Sequence, residues 1–268
     1  MTRKNSLMST VSQYLDYDNQ GAYPQRQRRR FVLHKIIDDF YVLHLVPASW
    51  FALKPNHIEQ LVLFWQKNGL QNATIMNYLT HFRFFLKKIN HKLEGITNAD
   101  FHLTKSRHGL KPAIDRDEIL SRLNDPIAWS LFALQSYFGL TLSEAMHLVP
   151  TIHLDGIELW ITREISTNSK DRILLIKNAK QQELITVFKQ LLASGKSLIS
   201  QYGESHVRLA YRYSLKDIGL ATQIQYRYLY AKGRLIELQE LPKPLKIEAI
   251  KKEMSINALS TIWSYCHE

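Results

Sequence analysis

The chain has 268 residues, which is enough for one large domain or two modest ones, each with its own core. Hydrophobic residues make up 45% and charged residues 22%, proportions that exclude wholesale disorder. No apolar run approaches a membrane span and no export signal is visible at the N-terminus, so we expect a cytoplasmic protein. The single cysteine, Cys266, excludes a disulfide framework and a cysteine-based metal site within one chain.

The net charge is +11, and the excess is concentrated in the first half of the chain. Residues 1–110 carry 15 Lys and Arg against 7 Asp and Glu. A basic surface attracts the phosphate backbone of nucleic acids. A basic surface is also found in proteins that bind an acidic protein partner and in proteins whose charge only keeps them soluble. The net charge alone therefore only slightly favours a nucleic-acid partner.

The N-terminal residues are polar, and we expect residues 1–24 to form a mobile arm. Apolar residues then recur at three- and four-residue spacings from Phe31 to Phe40, which predicts an amphipathic helix. Four arginines stand at its predicted start: Arg26, Arg28, Arg29 and Arg30. A helix N-terminus disfavours cations, so these arginines need a partner. DNA phosphate would serve, and a solvated run of charge is the alternative.

Two further amphipathic helices are predicted in residues 56–68 and 74–89. Gly69 predicts a helix end, and we expect Phe82 and Phe85 in a core rather than stacked on bases. A basic linker is predicted at residues 107–114. It would either run along a DNA groove or form a plain exposed loop. The candidate DNA contacts are Arg26, Arg28, Arg29, Arg30, Arg83, Lys87, Lys105, Arg107 and Lys111.

A second module begins at Asp115, which has the pattern of a helix N-cap. Helices are predicted up to residue 148 and again from about residue 179. Between them, residues 157–162 and 172–176 predict two short strands joined by a turn. The sequence therefore predicts a mainly α protein with two helical domains, at residues 25–106 and 115–268. The second domain contains a small antiparallel β-hairpin or sheet.

Four segments, in order, resemble conserved segments of one family. They are residues 73–86 (ATIMNYLTHFRFFL), 138–148 (FGLTLSEAMHL), 167–176 (TNSKDRILLI) and 254–267 (MSINALSTIWSYCH). The family is that of the tyrosine recombinases, or phage-type integrases. The resemblance spans about residues 25–267 and implies two domains that close around a DNA duplex as a C-shaped clamp.

The resemblance also implies a pocket chemistry. In the family, a tyrosine hydroxyl attacks a DNA phosphodiester, and two arginines stabilise the charge that develops. A lysine protonates the leaving oxygen and histidines assist, with no metal and no cofactor. In this chain the first arginine, the lysine and the two histidines are replaced by uncharged residues. These are Thr141, Thr167, Ile224 and Ile256. Three candidate catalytic residues remain: Tyr265 as nucleophile, Arg227, and Lys170 in the hairpin turn. The alternative for Tyr265 is a packing role, and the alternative for Arg227 is stacking between its aromatic neighbours.

Losing one preorganised donor typically costs about 100- to 1000-fold in rate, so we expect ordinary recombination to be very slow. The resemblance and the charge together imply a sequence-specific binder of double-stranded DNA with a degenerate active site. It would act on a mobile genetic element, in origin-of-transfer recognition, conjugative mobilisation or as a recombination accessory. A second DNA-bound protein is a candidate partner, and no membrane is expected. The alternatives are an active recombinase that uses Tyr265, a non-catalytic regulator or replication factor, and a basic protein adaptor.

Overall fold

The computed structural model describes residues 2–21, 23–104 and 113–266. The chain divides into two compact units, residues 1–109 and residues 110–268. Helices dominate both, and the second unit adds a small antiparallel sheet, which confirms the predicted fold class. Within the described ranges, no helix has the length and apolar character that a membrane span requires.

The first unit is a helical bundle around an aromatic core. Its described elements are α1 (Arg3–Tyr17), α2 (Tyr23–Val42), a short 3-10 helix (Trp50–Ala52), α3 (Pro55–Lys67) and α4 (Asn72–Lys88). Phe82 and Phe85 are buried as predicted, and the Trp50 and Phe85 ring centroids lie 5.0 Å apart. Gly69 follows the end of α3 with φ of +75°, a conformation that glycine adopts without strain, so the predicted helix end is confirmed.

The first helix corrects the prediction of a mobile arm over residues 1–24. Helix α1 packs on α2, and Leu7 and Val11 are completely buried in the core. The Trp50 indole also donates a hydrogen bond to the Leu7 carbonyl, at 3.1 Å. The mainly polar sequence hid this helix, because two apolar residues one helical turn apart are enough to attach it.

Helix α2 begins at Tyr23, eight residues before the predicted start at Phe31. The four arginines therefore lie inside the helix and do not precede it. Arginine and glutamine are good helix formers, so the segment extends the helix although it lacks an apolar stripe.

The second unit combines helices with the sheet. Its described elements are α5 (Arg116–Arg122), α6 (Pro126–Phe138), α7 (Leu142–His147), α8 (Pro150–His153), β1 (Leu154–Asp155), β2 (Glu158–Ile161), β3 (Arg172–Leu175), α9 (Ala179–Leu191), α10 (Leu198–Tyr202), α11 (Glu204–Asp217), α12 (Tyr228–Glu237), α13 (Lys243–Met254) and α14 (Leu259–Cys266). The Asp115 side chain accepts hydrogen bonds from two amides of α5, which confirms the predicted N-cap.

Helix α6 is the centre of this unit, because it packs against α7, α9, α11 and α12 and is buried along almost its whole length. It ends at Gly139, which has φ of +67°. A β-carbon at Gly139 would lie 2.6 Å from the Tyr230 ring. Both the left-handed conformation and this close approach require glycine here, and the chain then turns directly into α7.

The sheet is antiparallel with the strand order β1-β2-β3. Strands β2 and β3 form the predicted hairpin, with Leu159 opposite Leu174 and Ile161 opposite Arg172. Leu159, Ile161 and Leu174 are buried against the helices. The hairpin turn therefore lies beside the N-terminus of α7, which brings the segments that carry Thr141 and Thr167 together.

Candidate functional site

Thr141 and Thr167 meet at the start of α7. Thr141 is the N-cap of this helix, and its hydroxyl accepts a hydrogen bond from the Glu144 amide at 3.2 Å. The two threonine hydroxyls lie 2.9 Å apart and share a hydrogen bond. Two positions where the resemblance expects an arginine and a lysine are thus occupied by a neutral pair of hydroxyls that satisfy each other.

Glu144 connects α7 to the hairpin. Its carboxylate accepts hydrogen bonds from the amides of Thr141 at 2.8 Å and Thr167 at 3.2 Å. Arg172 donates to both carboxylate oxygens, at 3.0 and 2.8 Å. Burial raises the pKa of Glu144, but these hydrogen bonds and the charge of Arg172 outweigh it and hold the pKa below its ordinary value. Sequence reasoning missed this pair, since nothing in the order of residues links positions 144 and 172.

Arg227 lies at the N-terminal end of α12 and is almost completely buried. Its guanidinium donates to the Met254 carbonyl at the end of α13, while its Nε has no hydrogen-bond partner among the described residues. Burial lowers the pKa of Arg227, and the nearby Tyr265 and Glu144 oppose that shift. Arg227 is therefore a buried cation whose hydrogen-bonding capacity is only partly used among the described residues.

Tyr265 lies on α14, which packs against α12. The side chain is 8% exposed and belongs to the core of the second unit. Burial raises the pKa of the Tyr265 hydroxyl, and the positive charge of Arg227 lowers it in part. The structure thus brings together two of the three predicted catalytic residues, Arg227 and Tyr265, in a largely buried setting.

The third predicted catalytic residue, Lys170, is exposed in the hairpin turn. It lines a groove of about 590 Å³ between β3 and α13, and Ile256 lines the same groove. Ile224 and Ile256, at the two histidine positions, are half-buried and pack against the hydrophobic core. They provide no proton donor or acceptor.

Solved structures of two DNA-recombining proteins have the same arrangement of elements. A lambda integrase dimer bound to a core site matches with a TM-score of 0.67 and 13% identity, over 97% of this chain and 94% of that one. The Tn1549 transposon integrase in complex with circular intermediate DNA matches with a TM-score of 0.64 and 13% identity, over 98% of this chain and 95% of that one. The chain has the tyrosine recombinase fold.

The likeness to these recombinases is one of fold, because 13% identity does not by itself transfer an activity. No family model matches the sequence, and no curated protein matches it either.

The positions that the resemblance assigns to a catalytic pocket hold one guanidinium from Arg227, one phenol from Tyr265 and the paired hydroxyls of Thr141 and Thr167. A phosphate in this pocket would meet one strong cation and donors without charge. Among the described residues, no group of three or more His, Cys, Asp or Glu is placed to hold a metal ion. The arrangement can hold a phosphate in its ground state better than it can stabilise additional charge.

Two of the predicted DNA contacts form hydrogen bonds inside the first unit. Arg29 is buried, and it pairs with Asp18 at 2.6 Å and donates to the Gln20 carbonyl. Arg83 is half-buried and donates to the Ile96 carbonyl and the Asn98 amide oxygen, both at 3.0 Å. The burial and ion pair of Arg29 correct its assignment to the DNA surface. The DNA contact of Arg83 stays a prediction, because its side chain is half-buried and its two acceptors are neutral.

The other predicted contacts of the first unit remain at its surface. Arg28, Arg30 and Lys87 are exposed, and Arg26 is half-buried near the Tyr23 ring. Lys105, Arg107 and Lys111 lie outside the described residues, as does most of the predicted linker 107–114.

Sequence reasoning missed a second basic surface, on α11. Val207, Tyr211 and Leu215 bury one face of this helix at four-residue spacing. Arg212 and Lys216 are exposed on the other side, together with Tyr213. The spacing of the three buried residues was the signal that separates the exposed cations from the core.

Proposed function

We propose that this chain is a sequence-specific binder of double-stranded DNA whose recombinase-type pocket does not support ordinary recombination. The observation that carries this proposal is the 2.9 Å contact between the Thr141 and Thr167 hydroxyls. The resemblance expects cations at both positions. They are replaced by two neutral hydroxyls that hydrogen-bond to each other, so Arg227 is the one expected arginine that is retained.

The size of the loss supports this choice. One missing oxyanion donor typically costs about 100- to 1000-fold in rate, and general acid–base assistance contributes about 100- to 10,000-fold. The chain lacks one arginine, both histidines and the lysine in its expected register. These effects are not additive, but together they leave little of a recombinase rate.

Binding to DNA needs much less than catalysis. The net charge of +11 and the exposed cations of α2 and α11 supply sequence-independent attraction to phosphate. An exposed helix face such as that of α11 offers side chains for reading base edges. The two compared integrases were solved with DNA, which supports the same class of ligand for this chain.

The biological role we propose is DNA processing on a mobile genetic element, in the cytoplasm. A recombinase fold that binds a defined site without efficient strand exchange suits origin-of-transfer recognition, conjugative mobilisation or an accessory role in recombination. A second DNA-bound protein would then carry out the step that this chain does not perform.

The binding half of the proposal is tested by fluorescence polarisation with duplex DNA at several salt concentrations. If about six phosphates are contacted, affinity falls roughly 1000-fold between 50 and 200 mM salt. A flat salt response contradicts DNA binding and favours the protein adaptor. Recovery of one preferred sequence from a random duplex pool checks the claim of specificity.

The catalytic half is tested with a nicked suicide duplex and a denaturing gel. An inactive pocket yields no covalent protein–DNA adduct, whereas an active recombinase accumulates one. Tyr265→Phe is the control, because it removes the hydroxyl and leaves the ring in the core.

The second candidate function is an active recombinase that uses Tyr265, Arg227 and Lys170. The packing of α14, which carries Tyr265, against α12, which Arg227 caps at its N-terminus, favours it. An adduct that depends on Tyr265 would establish it. A purely regulatory DNA binder would instead retain every activity in Tyr265→Phe.

A further inference from the structure

Strand β3 has an open edge. The Ile176 amide donates to the Ile157 carbonyl at 2.8 Å, which makes these two residues a hydrogen-bonded pair of the antiparallel ladder. Hydrogen-bonded and non-bonded pairs alternate, so the backbone groups of Ile173 and Leu175 point away from β2. No hydrogen bond from the described residues reaches the amide or carbonyl of either one.

The outward face of the same hairpin is apolar. Ile173 and Leu175 are each 48% exposed, and Trp160, directly opposite Ile173, is 43% exposed. Exposed edges normally carry charges or proline that prevent pairing with another strand. Ile173 and Leu175 carry neither a charge nor a proline ring. A strand added beside them would continue the hydrogen-bond ladder of the sheet and extend its apolar surface.

The groove beside this edge has an excess of basic residues. It lies between β3 and α13 and has a volume of about 590 Å³. Four lysines and Arg172 line it, against the carboxylates of Asp171, Glu248 and Glu253. Lys177 and Lys251 are paired with Glu253 and Glu248, at 2.8 and 3.0 Å. Lys170 and Lys252 are exposed and form no ion pair with any described residue.

We propose that the open edge of β3 is a docking site for an extended acidic segment of a partner protein, which adds as a fourth strand. Main-chain hydrogen bonds to Ile173 and Leu175 would hold the segment. Every second side chain of the segment would lie beside the side chains of Ile173 and Leu175. Lys170 and Lys252 select acidic residues in the remaining positions. The proposal does not rest on the proposed DNA binding, whose candidate cations on α2 and α11 lie on other elements.

The test uses a fluorescein-labelled peptide of alternating valine and aspartate, and fluorescence polarisation with the full chain. A peptide of alternating proline and aspartate is the control, since it has the same charge but no amide donors at the alternate positions. We expect only the valine peptide to bind.

The matched variants are Leu175→Pro and Leu175→Thr. Proline removes an outward amide without breaking the ladder to β2, a position where edge strands tolerate it, whereas threonine keeps the amide. Leu175→Pro should lower peptide affinity about tenfold, the effect of one or more lost hydrogen bonds. Leu175→Thr should bind much as wild type does, and Lys252→Glu should weaken binding.

Hydrogen exchange supplies a test without substitution, because the bound peptide should slow exchange of the Ile173 and Leu175 amides. The proposal is overturned if the valine peptide does not bind, if both peptides bind equally, or if exchange at these amides is unchanged. It is also overturned if Leu175→Pro weakens DNA binding instead, which would assign the edge to the DNA surface. A dimer of this chain that Leu175→Pro dissociates would assign the edge to a second copy.

Discussion

Arg172 binds Glu144 through both of its terminal nitrogens, and the two side chains are almost completely buried. The remaining Nε of Arg172 donates to the Glu253 carbonyl at 3.0 Å, next to the Met254 carbonyl that Arg227 contacts. One ion pair thus joins α7, the hairpin and the end of α13. The residues around Arg227 are positioned by this network.

The first prediction is that Glu144→Gln lowers the free energy of unfolding by about 3–5 kcal/mol, because it leaves the Arg172 charge buried without a counter-charge. Urea unfolding followed by circular dichroism measures it. The control is Asp171→Asn, which breaks the exposed Arg163–Asp171 pair at 2.7 Å. Water already screens that pair, so its loss should be far less damaging. Equal effects of the two variants contradict this account.

The second prediction concerns acid stability. The pKa of Glu144 is lower in the folded chain than in the unfolded chain, so the carboxylate stabilises the fold above its unfolded pKa of about 4.3. That contribution is lost as the pH falls through the folded-state value. The stability difference between wild type and Glu144→Gln should therefore be constant near neutral pH and shrink below about pH 4. Urea midpoints at several pH values measure it, and a difference that grows in acid is the contrary result.

Local patterns in the sequence predicted the elements that follow local rules. The helix end at Gly69, the N-cap at Asp115 and the β2–β3 hairpin are each set by a few neighbouring residues. Helix α1 was missed because its two buried residues, Leu7 and Val11, have meaning only once the core that receives them exists.

The contacts within the candidate site were even harder to predict from the sequence, because they join residues that are distant along the chain. Sequence resemblance selected Thr141 and Thr167 separately, but only the fold shows that their hydroxyls meet. Arg29 looked like its exposed neighbours Arg28 and Arg30, and its burial follows from a partner, Asp18, eleven residues earlier. Helical position alone did not separate these three arginines, because the distinction depends on which face α1 covers.

The third prediction separates these arginines. Arg28→Ala with Arg30→Ala should weaken binding to all DNA sequences about equally and reduce the salt slope by about one for each phosphate that the variant no longer neutralises. Arg29→Ala should instead lower the free energy of unfolding, because it leaves Asp18 buried without its partner. Polarisation assays and urea unfolding of both variants check the difference. A change in sequence preference in the double variant would show that these residues read bases.

The fourth prediction concerns Arg227. Arg227→Ala should weaken DNA binding by about 1.5–3 kcal/mol, the range for a hydrogen bond to a charged group. The control is Arg234→Ala, which removes a buried arginine of the same helix that pairs with Glu253 at 2.9 Å. Both variants should destabilise the fold, and only Arg227→Ala should lower DNA affinity under conditions where both stay folded. Equal losses of affinity would mean that Arg227 acts only through the packing of α12.

The last prediction restores the missing charges. The double variant Thr141→Arg with Thr167→Lys places two cations at positions whose hydroxyls contact each other in the wild-type chain. It removes the N-cap hydroxyl of α7, a loss of about 1 kcal/mol, and the control Thr141→Ala with Thr167→Ala makes the same loss without adding charge. The charged double variant should bind DNA more tightly than the alanine control and form a covalent adduct on a nicked suicide duplex. The adduct should disappear when Tyr265→Phe is added, because the phenol oxygen is the attacking atom.

Tyr265 is 8% exposed, so α14 must move for the phosphate to reach it. Tighter binding with no adduct would mean that α14 stays packed and that Tyr265 serves the core, leaving a DNA-binding protein with no latent nucleophile.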